Sequence, residues 1–231
     1  MTSRMPLYIS LGLLMVVSII ELSFVSSTVG FLHGTASGNF QFLWNNAAFY
    51  LNGKPKNFLL DQGHTSNAAS GTAFILVGCG GIVALWITSK SKPSRFGLLY
   101  YYTWVLINIL SLCLTLGALI YVFVVTNNHN GQRIDQAMAA RLDGDPYDLD
   151  TWTPQNWFSA VLKLDLLDDR GVISRNYHVM RGWQFNLIPF FIIQFFETGL
   201  ALMDAQAKRK AWNSPIGKED FRDKESIGQR S

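Results

Sequence analysis

Four long apolar windows constrain this chain more than any other feature of its sequence. They cover residues 7–32, 69–88, 98–126 and 185–205. Each window is long enough for a helix to cross a bilayer core of about 30 Å, because a helix rises about 1.5 Å per residue. In lipid the backbone must satisfy its own hydrogen bonds, so each window predicts a transmembrane helix. The first window exceeds the apolar run of a signal peptide, and we expect it to be retained.

The composition agrees with a membrane protein. Charged residues make up 15% of the 231 residues and hydrophobic residues 49%, whereas soluble domains contain about 25% charged residues. The only cysteines, Cys79 and Cys113, lie inside the second and third windows, so the loops cannot be held by disulfides. These features exclude an ordinary soluble enzyme, a disordered chain and a disulfide-built module. We predict an all-α fold, a four-helix transmembrane bundle with a small helical extracellular cap.

Basic residues predict the orientation of the bundle. They lie beside the windows at Arg4, at Lys90, Lys92 and Arg95, and at residues 208–210. With four spans these three sites share one side, which the positive-inside rule makes cytoplasmic. The net charge of +3 is therefore interpreted as an orientation signal. The predicted partner is the lipid bilayer, with no nucleic acid.

The segments outside the windows follow from this topology. We predict a cytoplasmic N-terminus (1–6), an outer loop (33–68), a cytoplasmic turn (89–97), a second outer loop with short helices (127–184) and a flexible cytoplasmic tail (206–231). The tail is polar and contains Pro215 and Gly217, a composition that cannot bury a core.

Both outer loops carry apolar surface that should not remain in water. The second loop predicts a helix over residues 132–142 and another that begins after a Thr153 cap and Pro154. A third amphipathic stretch covers residues 173–183. We expect the loops to pack into a cap, and the alternative is an exposed patch that binds a partner. The candidate contact residues of the outer loops are Trp44, Trp157, Phe158 and Trp183.

Two carboxylates inside the windows are the strongest functional candidates. Counted from the outer ends of their windows, Glu21 and Glu197 lie at similar depths. An intramembrane acid should face the bundle interior or be partnered. Helical spacing adds a polar stripe of Asn108, Ser111 and Thr115 in the third window. We predict a buried seam of Glu21, Asn108, Ser111, Gln194 and Glu197. The seam either relays protons or cations, or fixes helix register through hydrogen bonds.

The second window is rich in small residues. Gly78, Gly80, Gly81 and Ala84 allow close helix approach. They predict packing within the bundle or self-association, and the sequence does not separate these two interpretations.

No motif indicates catalysis. Four aspartates lie between Asp143 and Asp150, but their spacing departs from the EF-hand pattern. The four histidines are dispersed and do not have zinc-site spacing. We therefore predict no enzyme activity, no cofactor and no metal.

The chain resembles claudin-like and MARVEL-type four-span membrane proteins, including fungal cortical relatives. The resemblance rests on the span plan and on Phe42-Leu43-Trp44-Asn45 in the first outer loop. Claudin-like proteins carry a Leu-Trp element there, followed by paired cysteines that this chain lacks. The resemblance implies a plasma-membrane organiser, scaffold or auxiliary subunit that forms a homo-oligomer or binds another membrane protein. The alternative is a small proton or cation transporter, or a channel component, that uses Glu21 and Glu197.

Overall fold

The computed structural model describes residues 4–89 and 94–213. Its elements are α1 (Met5–His33), β1 (Asn39–Trp44), β2 (Ala47–Asn52), α2 (Asp61–Thr72), α3 (Gly80–Ile87), α4 (Arg95–Asn128), α5 (Gln136–Leu142), α6 (Pro154–Val161), β3 (Asp165–Leu166) and α7 (Arg170–Asn213). A π-helical segment, Ala73–Cys79, joins α2 to α3.

Four helices are long and apolar enough to cross a membrane, as predicted. Span 1 is α1, span 2 is the continuous helix Asp61–Ile87, span 3 is α4 and span 4 is α7. Spans 1 and 3 each pack against spans 2 and 4. We call the end of the bundle that holds the strands and short helices the cap end. The opposite end, where Arg4, Thr88 and Asp204 meet, is the turn end.

The helices extend beyond the apolar windows. Span 2 begins at Asp61 and α7 begins at Arg170, so the amphipathic stretch at 173–183 is the first part of α7 and not a separate helix. An apolar window marks only the segment that lipid can surround, whereas a helix continues as long as its hydrogen bonds do.

The chain around the turn end also differs from the predicted boundaries. Helix α7 continues to Asn213, so residues 206–213 are helical where we predicted a flexible tail. The remainder of that predicted tail, 214–231, lies outside the described residues. Within the predicted turn 89–97, Lys90 and Lys92 also lie outside them, and α4 begins at Arg95.

The cap contains a small antiparallel sheet, which corrects the all-α prediction. Its strand order is β2-β1-β3. The segment between spans 1 and 2 contributes β1 and β2, and the segment between spans 3 and 4 contributes β3. The hairpin turns at Asn45 and Asn46, whose φ angles are 49° and 62°. Asparagine tolerates positive φ better than most residues, and two such residues in sequence are typical of tight hairpins.

The segment between spans 1 and 2 and the segment between spans 3 and 4 pack around a shared aromatic core, and the predicted packing of the two loops is found. Phe158 contacts Phe31 of α1 and Phe40 of β1, with ring centroids 5.0 Å and 6.5 Å away. The Trp157 Nε1 donates to the Gly53 carbonyl oxygen at 2.9 Å. Helix α6 begins after Thr153, whose hydroxyl accepts from the Asn156 amide at 3.2 Å. Helix α6 therefore begins at the predicted N-cap residue, Thr153, with Pro154 as its first helical residue.

Tyr147 connects the loop between α5 and α6 to the same aromatic core. Its ring lies 5.7 Å from that of Trp157, centroid to centroid, and its hydroxyl accepts from the Asp135 amide at 3.0 Å. Burial raises the pKa of the Tyr147 hydroxyl above its usual range.

The π-helical segment of span 2 is a feature that the sequence analysis missed. A π-helix is rare and changes which backbone carbonyls find partners within their own helix. Here the Trp104 Nε1 of α4 donates to the Val77 carbonyl oxygen at 3.0 Å. The widened turn is thus bonded to span 3 by a buried side chain.

Candidate functional site: polar clusters within the helix bundle

The first buried cluster forms between α1 and α7. The Asn186 Nδ2 donates to Glu21 Oε2 at 2.9 Å and lies 3.3 Å from the Val17 carbonyl oxygen. Glu21 is fully buried. Its other oxygen, Oε1, has no hydrogen-bond partner among the described residues. Asn186 was not among the predicted site residues.

The second cluster forms between α4 and α7 around Glu197. The Asn108 Nδ2 donates to Glu197 Oε1 at 2.9 Å, and the Thr198 hydroxyl donates to Asn108 Oδ1 at 2.7 Å. All three side chains are buried. The second carboxylate oxygen, Glu197 Oε2, has no partner within residues 4–89 and 94–213.

Gln194 extends the second cluster by one helical turn. Its Nε2 donates to the Ser111 hydroxyl at 2.7 Å, and its Oε1 accepts from the Thr115 hydroxyl at 2.6 Å. The predicted stripe of Asn108, Ser111 and Thr115 therefore faces α7. The side-chain amide of Gln194 thus bonds to two hydroxyl groups of α4 across one helix interface.

The predicted single seam is divided into two clusters. Spans 1 and 4 are antiparallel, and their register places Glu21 beside Asn186. Glu197 lies eleven positions further along α7, which is about 16 Å of helix rise. The two acids therefore lie at different depths, and Glu21 makes no hydrogen bond to the other four predicted seam residues. Counting from window ends gave similar depths because α7 extends far beyond its apolar window.

A third polar cluster joins all four spans at the turn end. Asp204 of α7 accepts from Arg4 Nε at 3.2 Å and from the Tyr101 hydroxyl at 2.6 Å. Lys208 lies 3.2 Å from the same carboxylate and donates to the Thr88 hydroxyl at 2.8 Å. Its ammonium also lies 3.4 Å from the centroid of the Tyr101 ring. Of these residues, Arg4 and Lys208 were interpreted only as orientation signals, and Tyr101 was given no role. No local pattern indicates that the five residues meet.

The small residues of span 2 occupy two environments. Gly78, Gly81 and Ala84 are buried in the bundle. A Cβ at Gly81 would lie 2.9 Å from Trp104 and 3.0 Å from Leu11. Gly80 instead lines a groove of about 370 Å³ between span 2 and α4, together with Cys79 and Tyr100. The structure therefore places three of the four at internal contacts and one on the outside of the bundle.

The predicted contact residues of the outer loops are mostly internal. Trp157 and Phe158 belong to the cap core, and Trp183 is buried in the bundle at the cap end. Their burial removes them from the surface that a protein partner could contact. Trp44 alone among the four is partly exposed.

The described residues contain no group of three or more histidine, cysteine or acidic side chains that could hold a metal ion. Their polar clusters consist of carboxylate, amide, hydroxyl and ammonium groups that bond helix to helix. Such groups fix the mutual register of membrane helices, and carboxylates at this depth are also the groups that proton and cation pathways use.

Comparison with known proteins identifies no relative: no family model matches the chain, and neither the curated proteins nor the solved structures contain a significant match.

Proposed function

We propose that this chain is a non-enzymatic multi-pass membrane protein that acts as a membrane organiser, scaffold or auxiliary subunit. The supporting observation is an aromatic surface at the tip of the β1–β2 hairpin. The rings of Trp44 and Phe49 pack 6.1 Å apart, centroid to centroid, and remain partly exposed. Tyr50 is 45% exposed on the other face of the hairpin. Exposed aromatic side chains on a rigid element are characteristic of protein interfaces.

Lateral contacts through the groove beside Gly80 accompany this outer contact. A glycine on a lipid-facing groove lets a second helix approach closely. In the proposed arrangement both termini are cytoplasmic and the hairpin projects from the outer face of the plasma membrane. The hairpin includes Leu43-Trp44, the sequence element on which the resemblance to claudin-like and MARVEL-type proteins rests. The partner is a second copy of this chain or another membrane protein.

The test is the size of the particle purified from membranes. We expect a homo-oligomer or larger complex, measured by light scattering in mild detergent and by cross-linking before extraction. Trp44→Ala should reduce its yield, whereas Leu149→Ala should not. Leu149 is a suitable control because it is 38% exposed elsewhere in the cap. A monomer recovered alone after cross-linking contradicts the proposal.

A small proton or cation transporter, or a channel component, is the second candidate. The observation that favours it is that Glu21 Oε1 and Glu197 Oε2 are both buried without a partner among the described residues. Each is a position at which a proton or cation would gain an interaction.

Ion flux into liposomes separates the two candidates. If the chain conducts protons or cations, combined Glu21→Gln and Glu197→Gln should abolish flux while the protein still inserts and unfolds cooperatively. The matched control is Asp168→Asn, an exposed acid of the cap. Wild-type protein without flux, together with a loss of folding in the double variant, favours the structural role of the two acids.

A further inference from the structure

A cavity of about 430 Å³ lies at the cap end of the bundle. It lies between the last turns of α1 and the start of α2. Lys54, just after the hairpin, and Trp183 of α7 also line it. Its volume falls within the range of about 300–1,000 Å³ that small-molecule sites occupy. The polar clusters described above do not line it, so it is separate from them.

The walls of this cavity divide into an apolar part and a polar part. The apolar part includes Val25, Val29 and Leu32 along α1. The polar part begins one residue later with His33 and continues through Lys54 and His64. The apolar run of span 1 ends where the polar wall begins, so the cavity lies at the expected boundary between hydrocarbon and headgroups. A ligand that fits it has an apolar chain and a polar head.

The polar wall favours a negatively charged head. Lys54 provides a positive charge, and the rings of His33 and His64 provide hydrogen-bond donors. No aspartate or glutamate lines the cavity. Within the described parts of the chain, none of these three side chains makes a hydrogen bond or ion pair. They are therefore available to a phosphate group, whose oxygens accept charge-assisted hydrogen bonds.

Trp183 gives a second and independent indication of a ligand. It lines the cavity, it is 1% exposed, and its Nε1 is buried without a hydrogen-bond partner in the described residues. A buried indole N–H normally finds an acceptor. The ester carbonyls of a glycerophospholipid lie between headgroup and chain, and such a carbonyl is an acceptor for this donor.

Exposure along the apolar wall shows how a lipid would enter. Val29 is 48% exposed and Leu60 is 41% exposed, and both line the cavity. An apolar opening on the side of a transmembrane helix faces the bilayer and not water. Lateral entry from the surrounding leaflet follows from this position.

We propose that this cavity binds one anionic glycerophospholipid from the leaflet on the cap side. Its phosphate contacts Lys54, His33 and His64, an ester carbonyl accepts from Trp183 Nε1, and an acyl chain lies along Val25 and Val29. This site is independent of the proposed organiser function, because the hairpin tip and the groove beside Gly80 do not line it.

Native mass spectrometry of the full chain in mild detergent tests the proposal. The probes are phosphatidylglycerol, phosphatidylcholine and inorganic phosphate, each titrated separately. We expect one phosphatidylglycerol to bind more tightly than phosphatidylcholine. Lys54→Gln should weaken that binding about fivefold, the effect typical of one lysine near an anionic headgroup. Lys56→Gln is the matched control, since Lys56 is exposed and does not line the cavity.

A second variant tests occupancy of the cavity without changing a charge. A Cβ at Gly63 would meet only the Trp183 ring edge, at an ordinary 3.7 Å, so Gly63→Leu should fold and fill the space. It should abolish tight binding of phosphatidylglycerol. Unchanged binding in Gly63→Leu, or equal loss in Lys54→Gln and Lys56→Gln, would overturn the proposal. Equal affinity for both lipids, or displacement of the lipid by inorganic phosphate alone, would overturn it as well.

Discussion

Asn108 illustrates how one amide serves two groups on a neighbouring helix. Its nitrogen donates to Glu197 and its oxygen accepts from Thr198. We expect Asn108→Leu to reduce the free energy of unfolding by about 1–3 kcal/mol, because a buried carboxylate loses its only described donor. Unfolding in mixed micelles titrated with sodium dodecyl sulfate measures this change. Ile109→Leu on the lipid-facing side of the same helix is the control.

A double variant separates the lost hydrogen bond from the cost of leaving its partner buried. Adding Glu197→Leu to Asn108→Leu should be less harmful than the sum of the two single changes, because no unpaired charge remains. Additive losses would contradict the described contact.

The residues of the second cluster were predictable, whereas Asn186 was not. Spacings of three and four place Asn108, Ser111 and Thr115 on one face of any helix, so local geometry is sufficient. The partner of Glu21 depends instead on the register between α1 and α7. That register arises from contacts between residues far apart in the chain, and no local spacing encodes it.

At the scale of elements, two adjacent glycines of span 2 should respond differently to the same change. Gly81→Ala places a Cβ 2.9 Å from Trp104, and we expect it to lower the free energy of unfolding by about 1–3 kcal/mol through overpacking. Gly80→Ala meets nothing closer than 3.7 Å and should leave stability unchanged or slightly raised. Thermal unfolding of both variants in one detergent makes the comparison, and equal losses would contradict the assigned packing.

The β1–β2 hairpin shows what the sequence contained and the prediction overlooked. Phe40, Phe42 and Trp44 place an aromatic residue at every second position of β1, and Asn45-Asn46 follows them directly. Alternation before a two-residue turn of this type indicates a hairpin. The aromatic content was interpreted as loop surface, so the period of two was missed. Thr153-Pro154 was predicted correctly because helix capping is local chemistry.

At the scale of the whole molecule, Asp204 of span 4 links the ends of the other three spans. It bonds directly to Arg4 beside span 1 and to Tyr101 of span 3, and Lys208 connects it to Thr88 at the end of span 2. Asp204→Asn removes the charge opposite Arg4 and Lys208, and we expect a loss of about 1–3 kcal/mol, typical of hydrogen bonds to charged groups. Asp168→Asn in the cap should have little effect. The same titration in micelles measures both, and equal stability of the two variants would contradict a structural role for the turn-end cluster.

The number of spans was predictable, while their length was not. Hydrophobicity reports how much of a helix lipid can surround, and all four windows were long enough to be unambiguous. The extensions at Asp61 and Arg170 lie at the cap end, where α2 packs on α1 and α4 and where α7 packs on α6. Such packing depends on the assembled fold, so the sequence windows ended too early.

One consequence concerns the 44-residue helix α7. It contacts the cap core at Ile173, carries Asn186 and Glu197 through the bundle, and reaches Asp204 at the opposite end. A helix of this length is about 66 Å long. A single helix therefore joins the cap to the turn end. Pro189 lies inside it and removes one of its backbone hydrogen bonds, so a force applied to the cap would bend α7 at that position before it moved the far end of the helix.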